Sequence, residues 1–159
     1  MIQSPKESGE RNQYNPHVPG NAPHTLNLLI EADPTSASLL RMRETIQAFA
    51  EEHDLPEPMA SEILLALEEV VTNIIRHSDA TTIEVRATVR EADLLLEIID
   101  DAPPFDPRTV PPPELDVPLE RRRAGGLGVH LVRCLMDAVE YERVDDRNHL
   151  RLRRAVRAP

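Results

Sequence analysis

Residues 82–100, TIEVRATVREADLLLEIID, decide how the rest of the chain has to fold. Ile83, Val85, Ala87 and Val89 alternate with Thr82, Glu84, Arg86, Thr88 and Arg90. Leu94-Leu95-Leu96-Glu97-Ile98-Ile99 follows as a second strand. Successive strand side chains point to opposite faces, so the first run has one apolar and one polar face. That alternation is the pattern of an antiparallel sheet wetted on one side. The dry side needs a cover, and the neighbouring segments supply one.

Upstream, Leu26, Leu28 and Ile30 alternate with Asn27 and Leu29, which predicts a strand. Residues 35–53 read as a helix, with Leu39, Leu40, Met42, Ile46 and Phe49 at helical spacing. Leu55-Pro56-Glu57-Pro58 breaks it. A second helix, about 59–77, carries Ile63, Leu67, Val70 and Ile74 on one stripe, flanked by Leu64, Val71 and Ile75. Downstream, residues 101–124 form a long proline-rich loop ending near Arg121-Arg122-Arg123. So long a connection in a compact domain is usually functional, often a lid. A helix at about 127–137 and strands near 139–144 and 149–156 complete the chain. The expected architecture is α+β, a two-layer sandwich of mostly antiparallel sheet covered on one face by helices, in the order β-α-α-β-β-lid-α-β-β.

The 159 residues suffice for one domain with a real core. With no Trp, two Phe and two Tyr, that core must be aliphatic. Eighteen basic against 28 acidic residues give a net charge of −10, which argues against general nucleic-acid binding. Residues 1–23, polar and rich in Pro, Asn and His, read as a flexible N-terminal extension. Cys134, the single cysteine, is expected to be a small core residue. No apolar run reaches membrane-spanning length and no signal peptide is apparent, so a cytoplasmic location is expected.

Three of the five glycines fall within Gly125-Gly126-Leu127-Gly128, opening the apolar run Val129, Leu131, Val132, Leu135 and Met136. Glycine lets backbone N–H groups approach a bulky anion closely at the positive end of a helix dipole. The motif suits phosphate, although a simple hinge before a helix has the same pattern. On the 59–77 helix, Glu69, Asn73 and His77 lie at i, i+4 and i+8, one row beside the apolar stripe, with Glu68 on the opposite flank. A carboxylate and an amide one turn apart can share a job, the amide oxygen ligating Mg²⁺ and the carboxylate accepting a proton. An ordinary polar helix edge has the same spacing, and a histidine near a helix end can simply cap carbonyls. Asp100 extends the apolar row Leu94, Leu96 and Ile98, so its carboxylate faces a partly desolvated site and needs a donor. An exocyclic purine amine would serve; an acid opening the turn before Pro103-Pro104 is the plainer alternative.

The order of these features carries a family resemblance across residues 24–156. Leu67-Glu-Glu-Val-Val-Thr-Asn-Ile-Ile-Arg-His77 resembles the N box of the GHKL ATPase superfamily, and Asp100-Asp-Ala-Pro-Pro-Phe-Asp-Pro107 its first glycine box. Gly125-Gly-Leu-Gly-Val-His-Leu-Val132 resembles the second. The Pro-Pro-Phe-Asp-Pro and Leu-Met-Asp-Ala-Val-Glu-Tyr segments are most similar to bacterial anti-sigma-factor serine kinases of the RsbW type. The resemblance implies the GHKL (Bergerat) ATP-binding fold over 24–156, with a lid at 101–124. It implies ATP and Mg²⁺ as cofactors, Asn73 as Mg²⁺ ligand and Glu69 as general base toward a protein serine. It implies Asp100 as acceptor for the adenine amine and the Gly125, Gly126, Leu127 and Gly128 backbone beside the phosphates, with His77 lining the site. Ala102 stands at the adenine end, where the family's Asp-x-Gly has glycine. The implied partners are an anti-sigma antagonist as phosphoacceptor and a sigma factor, with a homodimer as the assembly. A partner-binding module without phosphotransfer is the competing expectation, favoured by Ala102.

Overall fold

The computed structural model describes residues 24–31, 36–113 and 126–156. The expected extension over 1–23, the lid residues 114–124 and Gly125 lie outside the described residues. Strand β1 (His24–Glu31) is followed by helices α1 (Ser36–Glu52) and α2 (Glu57–His77). Strands β2 (Thr82–Arg90) and β3 (Asp93–Asp100), helix α3 (Leu127–Leu135) and strands β4 (Ala138–Val144) and β5 (Arg147–Ala155) complete the order. The five strands form one sheet, β1-β2-β3-β5-β4, in which every neighbouring pair is antiparallel. The architecture is the expected α+β sandwich.

The alternating pattern becomes the two faces of the sheet. Ile83, Val85, Ala87 and Val89 of β2, and Leu94, Leu96 and Ile98 of β3, are buried. They meet Met42, Ile46 and Phe49 from α1, and Met59, Ile63, Ala66, Leu67 and Val70 from α2. Each fully buried Leu, Ile or Met side chain stabilises the fold by about 1.5–3 kcal/mol relative to exposure. Phe49 is the one aromatic in this core cluster, while Phe105 is exposed.

The helix ends follow from local chemistry. Beyond α1, Asp54 takes the left-handed conformation (φ 51°), the Leu55 amide bonds Ala50 O at 2.9 Å and the Asp54 amide bonds Glu51 O at 3.2 Å. This pairing satisfies carbonyls that a helix end leaves open. Helix α2 starts two residues before its expected boundary. Pro58 sits in the first turn, where its missing N–H is one that a helix start leaves unpaired, so it begins α2 as readily as it ends α1. Helix α3 ends two residues early: Met136 is extended but buried, and the Asp137 amide already bonds Arg153 O at 2.9 Å in the sheet. Cys134 is not a core residue. It is exposed on α3, with Sγ 3.6 Å from His130 Nε2, because the buried residue of this short helix is Val132, on another face. No described helix is long and apolar enough to cross a membrane.

Two connections shape the site. Four residues separate the end of α2 from β2, and Ile83 of β2 pairs with Asp100 of β3. The second half of α2 therefore lies at the end of the sheet where β3 finishes. Beyond Asp100 the chain makes a single 3-10 turn at Pro107–Thr109, which packs on β4.

Candidate functional site

Helix α3 seats its first turn on α2. A Cβ built on Gly128 would overlap Glu69 Oε2 and lie 3.2 Å from Glu69 Cδ and 3.4 Å from Asn73 Nδ2. The structure thus brings Glu69, Asn73 and Gly128 together, three positions 55 or more apart in sequence for the glycine. Neither Glu69 nor Asn73 has a side-chain hydrogen bond among the described residues, and both are half-buried. Glu68 has the opposite fate: its carboxylate takes the Arg43 guanidinium of α1 at 2.5 Å. Adjacent glutamates are thereby divided, one tying helices together and the other facing a glycine turn. His77 ends the row, exposed in the last turn of α2, where Ser78 supplies the cap through its amide and hydroxyl to Ile74 O.

Gly126 precedes α3 with φ 83° and ψ −14°, a left-handed conformation that a side chain would strain. Among the described residues, no side chain caps the helix start. The first N–H groups of α3 are left without intrahelical partners, at the positive end of the dipole. Leu127 is exposed and Gly128 half-buried. Beside this turn, Arg133 donates to Val110 O at 3.1 Å, joining α3 to the chain that leaves β3.

The second group gathers at the end of β3. Asp100 is buried, and its Oδ1 accepts from the Ala102 amide at 2.9 Å and from Asn148 Nδ2 at 2.7 Å. Its Oδ2 makes no hydrogen bond among the described residues. Two of the four buried polar side chains among the described residues, Asp100 and Asn148, are therefore bonded to each other. Ala102 is buried and is not among the residues with positive φ, so its methyl group costs no backbone strain. Asp101 points elsewhere and holds the α2–β2 connection through the Thr81 hydroxyl and the Thr81 and Thr82 amides. Burial pushes the Asp101 carboxyl up, but the Thr81 hydroxyl and the Thr82 and Thr81 amides outweigh it and hold it at about 2.

Sequence reasoning missed Asn148, Arg143 and Tyr141. The signal for Asn148 was present: Asn148, Leu150 and Leu152 share a face by period two, and an amide extends that apolar row as Asp100 extends its own. The cross-strand register, Ile98 with Leu150 and Asp100 with Asn148, sets the two polar ends opposite each other. A cavity of about 130 Å³ lies elsewhere, between β1 and α1, and is too small for a drug-sized ligand.

A family model described as "Histidine kinase-like ATPase domain" matches residues 30–154. The chain is 33% identical over 96 residues to the serine/threonine-protein kinase BtrW of Bordetella bronchiseptica, across 57% of this chain and 66% of that protein. It thus spans just under two thirds of BtrW's length. It is 28% identical over 123 residues to the serine-protein kinase RsbW of Listeria monocytogenes, across 72% of this chain and 77% of that protein. A crystal structure of the RsbU and RsbW domains of a Mycobacterium tuberculosis protein superposes with a TM-score of 0.61 at 16% identity, covering 86% of this chain and 33% of that one, which shows likeness of fold. The protein therefore belongs to the histidine kinase-like ATPase domain family, within the GHKL superfamily and with RsbW-like similarity.

Proposed function

We propose that the protein is an ATP-dependent serine/threonine protein kinase that phosphorylates an anti-sigma antagonist and also binds a sigma factor, as an anti-sigma factor. The observation that carries this reading is the seating of Gly128 on Glu69 and Asn73. A bare helix start, a free carboxylate and a free amide meet there, which are the parts phosphoryl transfer to a hydroxyl requires. The relatives named as serine and serine/threonine kinases support the same chemistry.

Two features fit a magnesium nucleotide: the start of α3, which no described side chain caps, and the Oδ2 of Asp100, which makes no hydrogen bond among the described residues. When bound, ATP·Mg²⁺ supplies an electrophilic phosphoryl group whose charge the metal offsets. Asp100 Oδ2 would accept from the adenine amine, with Ala102 beside it. The backbone of Gly125, Gly126, Leu127 and Gly128 would donate to phosphate oxygens. Asn73 would hold Mg²⁺ through its amide oxygen. Glu69 accepts the proton of the partner serine, and His77 lines the rim. The protein works as a cytoplasmic homodimer with protein partners and without direct contact to nucleic acid or membrane.

A second reading, a partner-binding module without phosphotransfer, rests on Ala102, which puts a methyl group where the family has glycine. Phosphotransfer from labelled ATP·Mg²⁺ to the antagonist separates the two. Glu69→Ala should retain nucleotide affinity and lose about 10²–10⁴-fold in transfer, the usual worth of a positioned base. Asn73→Ala should weaken both Mg²⁺-dependent binding and transfer. A wild-type protein that retains the sigma factor but phosphorylates no antagonist would leave the binding-module reading in place.

A further inference from the structure

The β4–β5 hairpin carries a polar cluster that the roles above do not use. Asn148 Oδ1 accepts from the Tyr141 hydroxyl at 2.8 Å and from Arg143 NH1 at 2.9 Å. Its Nδ2 donates to Asp100 Oδ1 at 2.7 Å, Pro103 O at 3.1 Å and Ala102 O at 3.2 Å. Donors surround the amide oxygen and acceptors surround the amide nitrogen, so the network fixes which way the amide faces. Arg143 NH1 also donates to Ala102 O at 2.6 Å. Among the described residues this guanidinium has no carboxylate partner; its bonds go to an amide oxygen and a main-chain carbonyl. Arg143 and Asn148 are a direct cross-strand pair next to the tight turn at Asp145 and Asp146, both left-handed. The turn sets the register, and the register puts the arginine against the amide.

The consequence for Asp100 is asymmetry. A carboxylate left to rotate would present either oxygen to a ligand. Here Oδ1 is held by two donors, one of them Asn148, and Oδ2 is the oxygen left to accept. The same amide and guanidinium hold the Ala102 and Pro103 carbonyls, where the chain leaves β3 toward the expected lid.

We propose that Asn148 and Arg143 are positioning residues for purine recognition: Arg143 orients Asn148, Asn148 clamps Asp100, and the pair aims Asp100 Oδ2 at the exocyclic amine. This rests on the reading of Asp100 as the adenine acceptor. The prediction concerns a ratio. Purine riboside triphosphate lacks the exocyclic amine but keeps the ring and all the phosphates. Wild-type protein should bind ATP about 5- to 150-fold more tightly than this analogue, the range for one buried hydrogen bond.

Asn148→Ala should bring that ratio to within about 3-fold of unity, and Arg143→Met should lower it by at least about 3-fold. Affinity for the analogue itself should stay within about 3-fold of wild type, because the amine contact is what the clamp controls. A purely structural role would weaken both nucleotides together and leave the ratio unchanged. Calorimetric titration of full-length protein gives the affinities, and thermal melts show that each variant is folded. If Asn148→Ala does not fold, Arg143→Met on the edge strand decides. An unchanged ratio in either folded variant overturns the proposal. Wild-type protein that binds ATP and the analogue equally would instead remove the role of Asp100 on which the proposal stands.

Discussion

At the scale of single residues, Gly128 and Glu69 occupy space that only a hydrogen at Gly128 leaves open. Gly128→Ala would drive its methyl group into the Glu69 carboxylate. The far end of a glutamate can swing away, so the fold should tolerate the change. Alanine gains about 1 kcal/mol of helix propensity over glycine, against an overpacking cost of about 1–3 kcal/mol. Net stability should move by less than about 2 kcal/mol, while phosphotransfer falls by about 10²-fold as Glu69 is displaced. Normal transfer in a folded Gly128→Ala protein would separate Glu69 from the chemistry. Asp101 gives a second test. Its carboxyl is lowered from 3.8 to about 2 in the folded chain, so the folded state holds this proton less tightly than the unfolded one. The contribution to stability is complete above about pH 4 and is lost as the pH falls toward about 2. Asp101→Asn should be less stable at neutral pH and should show a flatter fall in melting temperature over that window. Parallel profiles for variant and wild type would contradict this.

At the scale of elements, the tightest local constraint is the turn from β4 into β5, where Asp145 (φ 47°) and Asp146 (φ 59°) are both left-handed. Two-residue hairpins favour this conformation because its twist matches the strands, and they favour glycine at the second position. Asp146→Gly should leave the register intact and raise stability by up to about 1 kcal/mol, read from a chemical denaturation midpoint. What was legible in the sequence divides along similar lines. Strand alternation at 82–100 and the helical stripe at 63–74 are dictated by burial, so periodicity alone located β2, β3 and α2. Glu69 and Asn73 could be set on one helix edge by spacing. That Gly128 would lie on them could not, because it depends on a contact between α2 and α3 that no local pattern encodes. Asn148 was readable in principle from its apolar row, whereas Arg143 and Tyr141 look like ordinary edge-strand residues until the register is known. Cys134 misled because an apolar run in a short helix that packs on a neighbouring helix need not be buried all round.

At the scale of the whole molecule, charge and architecture have to admit a polyanion to a protein of net charge −10. The polar face of the sheet neutralises much of its own charge. Glu97 meets Arg86 at 3.1 Å, Arg151 at 3.0 Å and His149 at 3.3 Å. Burial pushes the Glu97 carboxyl up, but the His149 and Arg151 hydrogen bonds and the Arg151 and Arg86 charges hold it lower. On the opposite side of the sheet, the start of α3 offers uncapped N–H donors, and Asp100 offers one acceptor where a purine edge would end. In the proposed function these two groups form one adenine-nucleotide site. The most direct measurement is calorimetric titration of wild-type and Asp100→Asn protein with ATP·Mg²⁺ and GTP·Mg²⁺. Wild type should bind ATP more tightly than GTP, because GTP presents a carbonyl where ATP presents an amine. Asp100→Asn should lose about 5- to 150-fold in ATP affinity. Equal affinities of wild type for ATP and GTP, or an Asp100→Asn protein that binds ATP as tightly as wild type, would contradict this reading.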